Sequence, residues 1–485
     1  MKRAKKLYIL LGVLVLACIA TFVLTRMEDE KEQIKASGET ILSLDSDSVK
    51  SLSWEYDGET LAFHKDGSWS YDDDSSFPVS EDKINELLGV FEDLGAAFTI
   101  EDVEDYGQYG LDEPSCTIDI QAGEDSYQIE LGDFSQMDSQ RYLSLGDGNV
   151  YLVTSDPMEL YEVTLEDMIE NDTVPALDSV SLISIQGPDD YEISYDDESH
   201  DSPCEDDVYF TQLNGSVLPL DTYRVESYLD VLESLQLDEY ATYNADNVFL
   251  ESYGLDDPEL SLAVDYSYED EDGQEASGSF SLVMSRSPED RAAAEAEEEQ
   301  AAEAEAEEEL EEDDEDEVQI PAYLRVGDSQ IIYVISQDKY EALMEAARDD
   351  LRHTEVFTAD FEQLTGIDVS LEGEDYALSC QKAEDEDEED LWLYDEEQFN
   401  VNALQSAIEG LRSVSFTDEK AASDAKEEIS LSLYLDNEYF PQIDIAFYRY
   451  DGSNCLCLVG GSPVSLVSRA DVVELIEAVN AIVLS

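Results

Sequence analysis

The side chains that could do chemistry in this 485-residue chain are three histidines, six cysteines and 121 carboxylates. His64, His200 and His353 are far apart and lack the spacing of metal ligands, so we predict that each is a surface or strand residue. The sequence has no HExxH helix, no GxSxG nucleophile turn, no phosphate-binding glycine loop and no CxxC pair. We therefore predict a protein that is not an enzyme, with no catalytic, cofactor-binding or metal-binding residues.

Calcium is the cation that so many carboxylates would favour, because hard cations prefer oxygen ligands. Residues 45–47, 72–74 and 269–273 each bring acidic side chains together, but none has the ligand spacing of an EF-hand loop. We expect weak Ca²⁺ association as the most that these stretches provide. The alternative is a solvated acidic face that binds no particular ion.

Cys455 and Cys457 form a Cys-x-Cys pair in a stretch with the pattern of a strand, where alternate residues share a face. Such a pair suits a zinc or redox site, but small buried hydrophobic residues give the same pattern. We predict that both cysteines lie in the core.

The charge of the chain is unusually negative, since 24 basic residues face 121 acidic ones for a net charge of −97. Nucleic acid is excluded as a partner, because its phosphates would be repelled. Hydrophobic residues still make up 42% of the chain, enough for a folded core, and the length suits about three domains. A cation or a basic protein remains a plausible partner.

The basic residues are concentrated at the N-terminus, where residues 1–26 contain five bases and no acid. Residues 7–25 are uncharged, and at about 1.5 Å per residue they suffice to cross a bilayer as one helix. Four bases precede this segment and one follows it, which predicts a cytoplasmic stub at residues 1–6 and an extracytoplasmic remainder. A cleaved signal peptide is the alternative, although the apolar run is long for one.

The remainder repeats itself three times, over residues 43–172, 177–352 and 357–485. Each unit has strand patterns, one helix pattern, more strand patterns and a second helix. The first helix begins after a capping residue, which is Ser80, Asp221 or Asn402. Short links favour antiparallel strands, so the sequence predicts an α+β fold of three tandem units, each an antiparallel sheet with two helices, after one transmembrane helix.

A hexapeptide recurs in the first two units, as Tyr-Gly-Leu-Asp-Glu-Pro and Tyr-Gly-Leu-Asp-Asp-Pro. The glycine permits a backbone conformation that other residues resist, and the proline favours an extended segment after it. We predict a structural turn that feeds the sheet; a ligand-binding loop is the alternative. The shared residues are Tyr109, Gly110, Leu111, Asp112 and Pro114, and then Tyr253, Gly254, Leu255, Asp256 and Pro258.

An acidic insert interrupts the second unit at residues 289–317, which are mostly Glu and Ala. Alanine and glutamate favour a helix, but like charges four residues apart oppose one. We predict a partly helical, solvated tether, which costs little because loop entropy grows slowly with length. Residues 384–390 form a smaller insert of the same kind.

The first unit has a strand with Trp69, a helix after it and the turn at residues 109–114, followed by characteristic segments at residues 131–132, 141–143 and 150–153. In these features it resembles the bacterial domain of unknown function 4340 (DUF4340) family. The resemblance covers the first unit well, the second moderately and the third only in the order of its elements. The family has no assigned activity, so no site residue is carried over; it implies a membrane anchor and ABC-type transporter subunits as partners.

Two functional hypotheses follow. The leading one is a non-catalytic, membrane-anchored extracytoplasmic protein that acts as a scaffold or accessory component of a cell-envelope or ABC-transporter-associated system. The alternative is a module that binds a divalent cation or an envelope ligand.

Overall fold

The fold is mainly β-sheet. A computed structural model describes residues 39–101, 103–177, 179–270, 273–296, 320–383, 390–422 and 425–484. Of these residues, 41% lie in strands and 20% in helices. The predicted α+β class is therefore wrong, because the alternating segments form three nine-stranded antiparallel sheets on which short helices are a minor layer.

The helices of the described residues are all too short or too polar to cross a membrane. The predicted stub at residues 1–6 and transmembrane helix at residues 7–25 lie outside the described residues. So does most of the acidic insert at 289–317, and most of the smaller insert at 384–390.

The first sheet has the strand order β1-β5-β9-β8-β7-β6-β2-β3-β4. Its strands are β1 (Glu39–Leu42), β2 (Val49–Tyr56), β3 (Glu59–Asp66), β4 (Ser68–Tyr71), β5 (Leu94–Ile100), β6 (Cys116–Ala122), β7 (Asp125–Ser135), β8 (Gln140–Ser144) and β9 (Val150–Val153). The helices with it are Glu81–Gly89 and Met158–Tyr161, with 3₁₀ turns at Ser46–Ser48, Tyr106–Tyr109 and Glu166–Met168.

The second sheet has the order β13-β12-β11-β10-β15-β16-β17-β18-β14. Its strands are β10 (Val180–Gln186), β11 (Tyr191–Tyr195), β12 (Tyr209–Leu213), β13 (Ser216–Pro219), β14 (Tyr240–Thr242), β15 (Leu260–Glu269), β16 (Glu275–Ser285), β17 (Ala322–Val326) and β18 (Ile332–Ile335). Helices at Thr222–Glu233, Asn247–Ser252 and Gln337–Met344 accompany it.

The third sheet has the order β22-β21-β20-β19-β24-β25-β26-β27-β23. Its strands are β19 (Leu364–Leu371), β20 (Glu374–Gln381), β21 (Leu391–Tyr394), β22 (Glu397–Gln398), β23 (Ser413–Phe416), β24 (Glu427–Leu435), β25 (Gln442–Arg449), β26 (Asn454–Val459) and β27 (Ser462–Ser468). A 3₁₀ turn at Phe361–Gln363 and helices at Asn402–Glu409 and Arg469–Val483 complete it.

Eight strands are common to the three sheets, and they are arranged identically. Numbered along the chain within each sheet, they lie in the order 4-8-7-6-5-1-2-3; β1, β13 and β22 are additional edge strands. A helix stands between the third and fourth common strands, and another follows the eighth. The three sheets are therefore copies of one topology.

Each sheet lies within one predicted repeat unit, except that β1 precedes residue 43. By contact density the chain divides into two compact units. The first ends at Asp172 and includes Thr242–Asn244; the second contains Thr173–Ala241 and Ala245–Ser485, and so holds both the second and third sheets.

One face of each sheet is buried beneath the helices, as β24 illustrates. Ile429, Leu431 and Leu433 are buried, whereas Ser430 and Ser432 between them are partly exposed. The helix Arg469–Val483 contributes Val472, Leu475, Val479 and Ile482 to the same core. The alternate residues on one face of the strand and the apolar residues on one face of the helix thus form a single hydrophobic layer.

Candidate functional site

The predicted turn at Tyr109–Gly110–Leu111 lies against the end of β7. Gly110 has φ +69°, and a Cβ atom there would be 2.6 Å from the Asp133 carboxyl group. Leu111 is buried, while the Tyr109 ring lies 4.9 Å from that of Tyr142 in β8. Asp112 is exposed and Pro114 stands just before β6.

The turn in the second sheet has the same surroundings. Gly254 has φ +74°, Leu255 is buried, and the Tyr253 ring lies 4.3 Å from that of Tyr323 in β17. Asp256 is exposed and Pro258 precedes β15. In both sheets the tyrosine of the turn contacts a tyrosine of the seventh common strand, and the leucine is buried in the core. Each turn therefore packs the segment before the fifth common strand against the rest of the sheet.

A nearly buried ion pair stands near each turn. In the first sheet Arg141 Nε donates to Asp156 at 2.7 Å, and its Nη1 donates to the Gly132 carbonyl at 2.7 Å. In the second, Arg286 Nη2 donates to Glu259 at 2.8 Å. Burial raises the pKa of Glu259, but the hydrogen bonds and charge of Arg286 lower it more, and the net shift is downward.

The acidic stretches proposed for Ca²⁺ have local structural partners. The Asp74 carboxylate accepts bonds from the backbone and hydroxyl of Ser76, and the Asp72 carboxylate contacts His64. Cys455 and Cys457 are fully buried, as predicted, and burial raises the pKa of Cys457 to about 12.

A group of titratable side chains surrounds His353, on the segment between the helix Gln337–Met344 and β19. Its Nε2 lies 2.8 Å from Asp207 Oδ1. Its Nδ1 lies 3.8 Å from Asp221 Oδ2 and 3.9 Å from Glu355 Oε2. Together with Cys204 these residues form what we call the His353 cluster.

The loop before β12 and one helix N-terminus position the partners of His353. Cys204 and Asp207 belong to the loop, and Asp221 caps the helix Thr222–Glu233 by accepting from the backbone of Tyr223 and Arg224. The cap was predicted, but its place beside a histidine was not. Glu355 lies at the same ring nitrogen as Asp221 and is held by Arg412 at 3.3 Å.

Burial and charge act in opposite directions on His353. The Asp207 side chain is only 1% exposed and that of His353 is 17% exposed. Burial lowers the pKa of His353, but the hydrogen bond to Asp207 and the charges of Asp207, Asp221 and Glu355 raise it more. Its net pKa therefore stands above the ordinary value. Burial raises the pKa of the Cys204 thiol to about 11.

Two sets of three ligand atoms in the His353 cluster lie close enough to hold a metal ion. One set is Cys204, Asp207 and His353, and the other is Asp221, His353 and Glu355; within each set all atoms are within 4.8 Å of one another. The prediction that the histidines are unrelated surface or strand residues did not foresee this. His353 and Asp207 are 146 residues apart, and the only local signal was the Cys-x-x-Asp spacing of residues 204 and 207.

Comparison with known families gives one match. The profile described as Domain of unknown function (DUF4340) matches residues 69–258 and again residues 211–430. Together the two segments span 362 of the 485 residues. The chain belongs to the DUF4340 family. No curated protein and no solved structure matches it.

The two DUF4340 segments begin and end at corresponding positions in the sheets. The first begins in β4 and ends just before β15; the second begins in β12 and ends in β24. Each therefore runs from the third common strand of one sheet to the fifth common strand of the next. The family profile follows the repeat that the strand order reveals.

Proposed function

We propose that this chain is a non-catalytic, membrane-anchored extracytoplasmic protein that serves as a scaffold or accessory component of a cell-envelope system, with ABC-type transporter subunits as its partners. The observation that carries the proposal is the repetition of one sheet topology three times. Three copies of one sheet present three similar surfaces. Such repeated surfaces are more useful for binding a multi-subunit assembly than for forming a single catalytic centre.

The uncovered faces of the sheets supply surface for such binding. At the first and fifth common strands each face has a shallow depression, of about 390, 230 and 350 Å³ in the first, second and third sheets. Serines line all three: Ser51 and Ser53, then Ser184 and Ser261, then Ser370 and Ser430. Small side chains leave the sheet surface accessible to a partner.

The thiols of the described chain are poorly suited to nucleophilic catalysis. Burial raises the pKa of both Cys116 and Cys457 to about 12 and that of Cys204 to about 11. A thiol reacts as its thiolate, so these groups react slowly near neutral pH. This supports a role in binding.

Membrane attachment is proposed from the sequence of residues 7–25 and its flanking bases. The N-terminus is then cytoplasmic and the sheets are extracytoplasmic. A retained anchor gives a full-length band in the membrane fraction, whereas a cleaved signal peptide gives a shorter one, and N-terminal sequencing of the mature protein distinguishes them.

Crosslinking in native membranes tests the scaffold proposal. A tagged full-length chain is purified after crosslinking, beside a control that joins residues 1–38 to an unrelated exported domain. We expect the full chain to recover the same membrane partner in replicate experiments, with transporter subunits among the products, and the control not to. If both proteins recover the same set, or neither recovers a membrane protein, the proposal is wrong.

The alternative, a divalent-cation or envelope-ligand module, is favoured by the His353 cluster. Calorimetry of the full chain, with Ca²⁺ and with Zn²⁺ in separate titrations, distinguishes it from general charge effects. A saturable heat with a defined stoichiometry supports the module. Heats that never saturate indicate only condensation of cations on the acidic surface.

A further inference from the structure

The loop before β12 forms a turn that places a thiol and a carboxylate together. The Asp207 amide donates to the Cys204 carbonyl at 3.4 Å. Ser202 Oγ accepts from the Cys204 amide at 3.1 Å and donates to Asp207 Oδ2 at 2.6 Å. The loop is therefore closed by its own hydrogen bonds, and its Cys-x-x-Asp spacing equals that of the paired ligands in zinc sites.

His353 completes a set of three different donor atoms. One of its ring nitrogens, the Cys204 sulfur and an Asp207 carboxylate oxygen all lie within 4.8 Å of one another, and the nitrogen beside Asp207 is Nε2, 2.8 Å from Oδ1. Sulfur, nitrogen and oxygen ligands together suit Zn²⁺, which accepts all three in tetrahedral sites. Ca²⁺ and Mg²⁺ prefer oxygen alone.

The burial of Asp207 makes a cation at this position favourable. Its side chain is 1% exposed, and a carboxylate removed from water needs a positive charge and hydrogen bonds around it. Among the ion pairs of the described residues, Asp207 pairs only with His353. Neither lysine nor arginine competes with a metal ion for this carboxylate there.

The other nitrogen of His353 faces carboxylates that have partners of their own. Asp221 caps a helix and pairs with Arg224 at 3.4 Å, while Glu355 pairs with Arg412. A metal-binding histidine commonly directs its second nitrogen at a carboxylate, which fixes the ring. Asp221 and Glu355 are in the position to orient His353 rather than to bind the ion.

We propose that Cys204 Sγ, an Asp207 carboxylate oxygen and His353 Nε2 bind one Zn²⁺ ion, whose fourth position is open to water or to an external ligand. Binding requires the thiolate and an unprotonated Nε2, so the thiol proton is released to solvent as the Zn–S bond forms. The Nε2 proton, which is donated to Asp207 in the metal-free site, is also released as the Zn–N bond forms, and the neutral ring keeps one proton on Nδ1. The site joins the loop before β12 to the segment before β19, and thus connects the second and third sheets within one compact unit. The inference goes beyond the scaffold proposal and does not depend on it.

Cobalt provides the direct test, because a Co²⁺–thiolate bond gives a charge-transfer absorption that carboxylates do not. The full-length chain is purified in detergent, treated with chelator and titrated with Co²⁺ and then with Zn²⁺. We expect the thiolate band to saturate at one Co²⁺ per chain and to disappear on addition of one equivalent of Zn²⁺. Absence of the band overturns the proposal.

The variants locate the site. Cys204→Ser should remove the band, and Asp207→Asn and His353→Gln should each weaken Zn²⁺ binding at least tenfold. The matched control is Cys380→Ser, since Cys380 also lies near a carboxylate, that of Asp390, but has Lys382 in place of a histidine. A band that persists in Cys204→Ser, or that is lost in Cys380→Ser, contradicts the assignment.

A measurement on the unmodified chain avoids the risk that a variant misfolds. Zn²⁺ should slow alkylation of Cys204, followed by peptide mass spectrometry, by tenfold or more while that of Cys380 is unchanged. Equal rates at Cys204 with and without Zn²⁺ overturn the proposal, and so do equal effects on both cysteines, which would indicate condensation of the ion on the acidic surface.

Discussion

Glu259 and Arg286 form a nearly buried pair whose effect on stability depends on pH. The two side chains are 13% and 21% exposed, and the pKa of Glu259 is lowered on folding. A carboxyl group with a lowered folded pKa stabilises the protein above its unfolded pKa of about 4.5 and loses that contribution as pH falls through the folded value. The pair therefore stabilises the second sheet at neutral pH and loses its effect in acid.

We expect Glu259→Gln to lower the free energy of unfolding by about 2–3 kcal/mol at pH 7, because the nearly buried Arg286 loses the charge and the charge-assisted hydrogen bonds of Glu259. The difference from the unmodified chain should shrink as pH falls below about 4.5. Urea unfolding at a series of pH values measures it. Glu86→Gln is the control, since its pair with Lys83 is exposed and should contribute less than about 0.5 kcal/mol. A difference that does not vary with pH would contradict the prediction.

Gly110 provides a second test at the residue scale, because its position combines a positive φ with close neighbours. In Gly110→Ala the new Cβ would lie 2.6 Å from the Asp133 carboxyl group and 2.8 Å from its backbone nitrogen. We expect a loss of about 3 kcal/mol in the free energy of unfolding, from strain and crowding together.

Gly123→Ala is the matched control for Gly110→Ala. Gly123 has φ +59° and no atom within 4 Å of the added Cβ, so only the conformational cost of about 1–2 kcal/mol applies. Thermal or urea unfolding of the two variants separates crowding from strain. If the two variants lose the same free energy of unfolding, the turn at Gly110 can shift to accommodate the added Cβ, and its close packing does not contribute to stability.

The strands show which elements a sequence pattern can predict. β24 has the alternation of a strand with one buried face, and the structure confirms the helix predicted after Ser80 and both Ser80 and Asp221 as caps. The prediction of Asn402 as a cap is wrong, because Asn402 is the first residue of its helix. Its backbone N–H donates to the Asn400 side-chain oxygen. Local patterns thus locate elements well, and end residues less well.

The predicted α+β fold class was wrong because of individual strands that the sequence pattern does not reveal. Edge strands such as β13 (Ser216–Pro219) and β22 (Glu397–Gln398) are too short to show alternation, so the sheets contain more strand than the pattern indicated. The His353 cluster was missed because its parts come from three separate segments. Only the strand order, which no local pattern encodes, brings them together.

Leu433 in β24 tests the core that this alternation builds. The residue is fully buried and is paired in register with Ile367 of β19 and Ile443 of β25. We expect Leu433→Ala to lower the free energy of unfolding by about 3–5 kcal/mol, from lost burial and the cavity left behind.

The adjacent position supplies the control for Leu433→Ala. Ser432 lies on the open face of the same strand, so Ser432→Ala should change stability by about 0.5 kcal/mol or less. Urea unfolding followed by far-ultraviolet circular dichroism measures both. A loss in Ser432→Ala as large as that in Leu433→Ala would show that the open face is covered in solution.

The net charge of −97 acts on the molecule as a whole. Like charges repel over the acidic surface, and added salt screens them, with a Debye length of about 10 Å at 0.1 M and about 3 Å at 1 M. We expect the melting temperature to rise steadily between 0.05 and 1 M NaCl. Calorimetry at matched pH, with sucrose as a non-ionic control, measures the change; a melting temperature that falls with salt would show that ion pairs outweigh repulsion.

The shared strand order also has a consequence for how the chain reaches its native state. In every sheet the first common strand pairs with the fifth, as β2 does with β6, β10 with β15 and β19 with β24. During synthesis β10 can therefore pair with either of two similar strands, β6, which is already synthesised, or β15, which is not. Pairing with β6 would join strands of the first and second sheets and give a misfolded protein. Because sequence differences between the copies are what can disfavour such crossed pairs, we expect that making the β6 and β15 sequences identical would increase misfolding during synthesis.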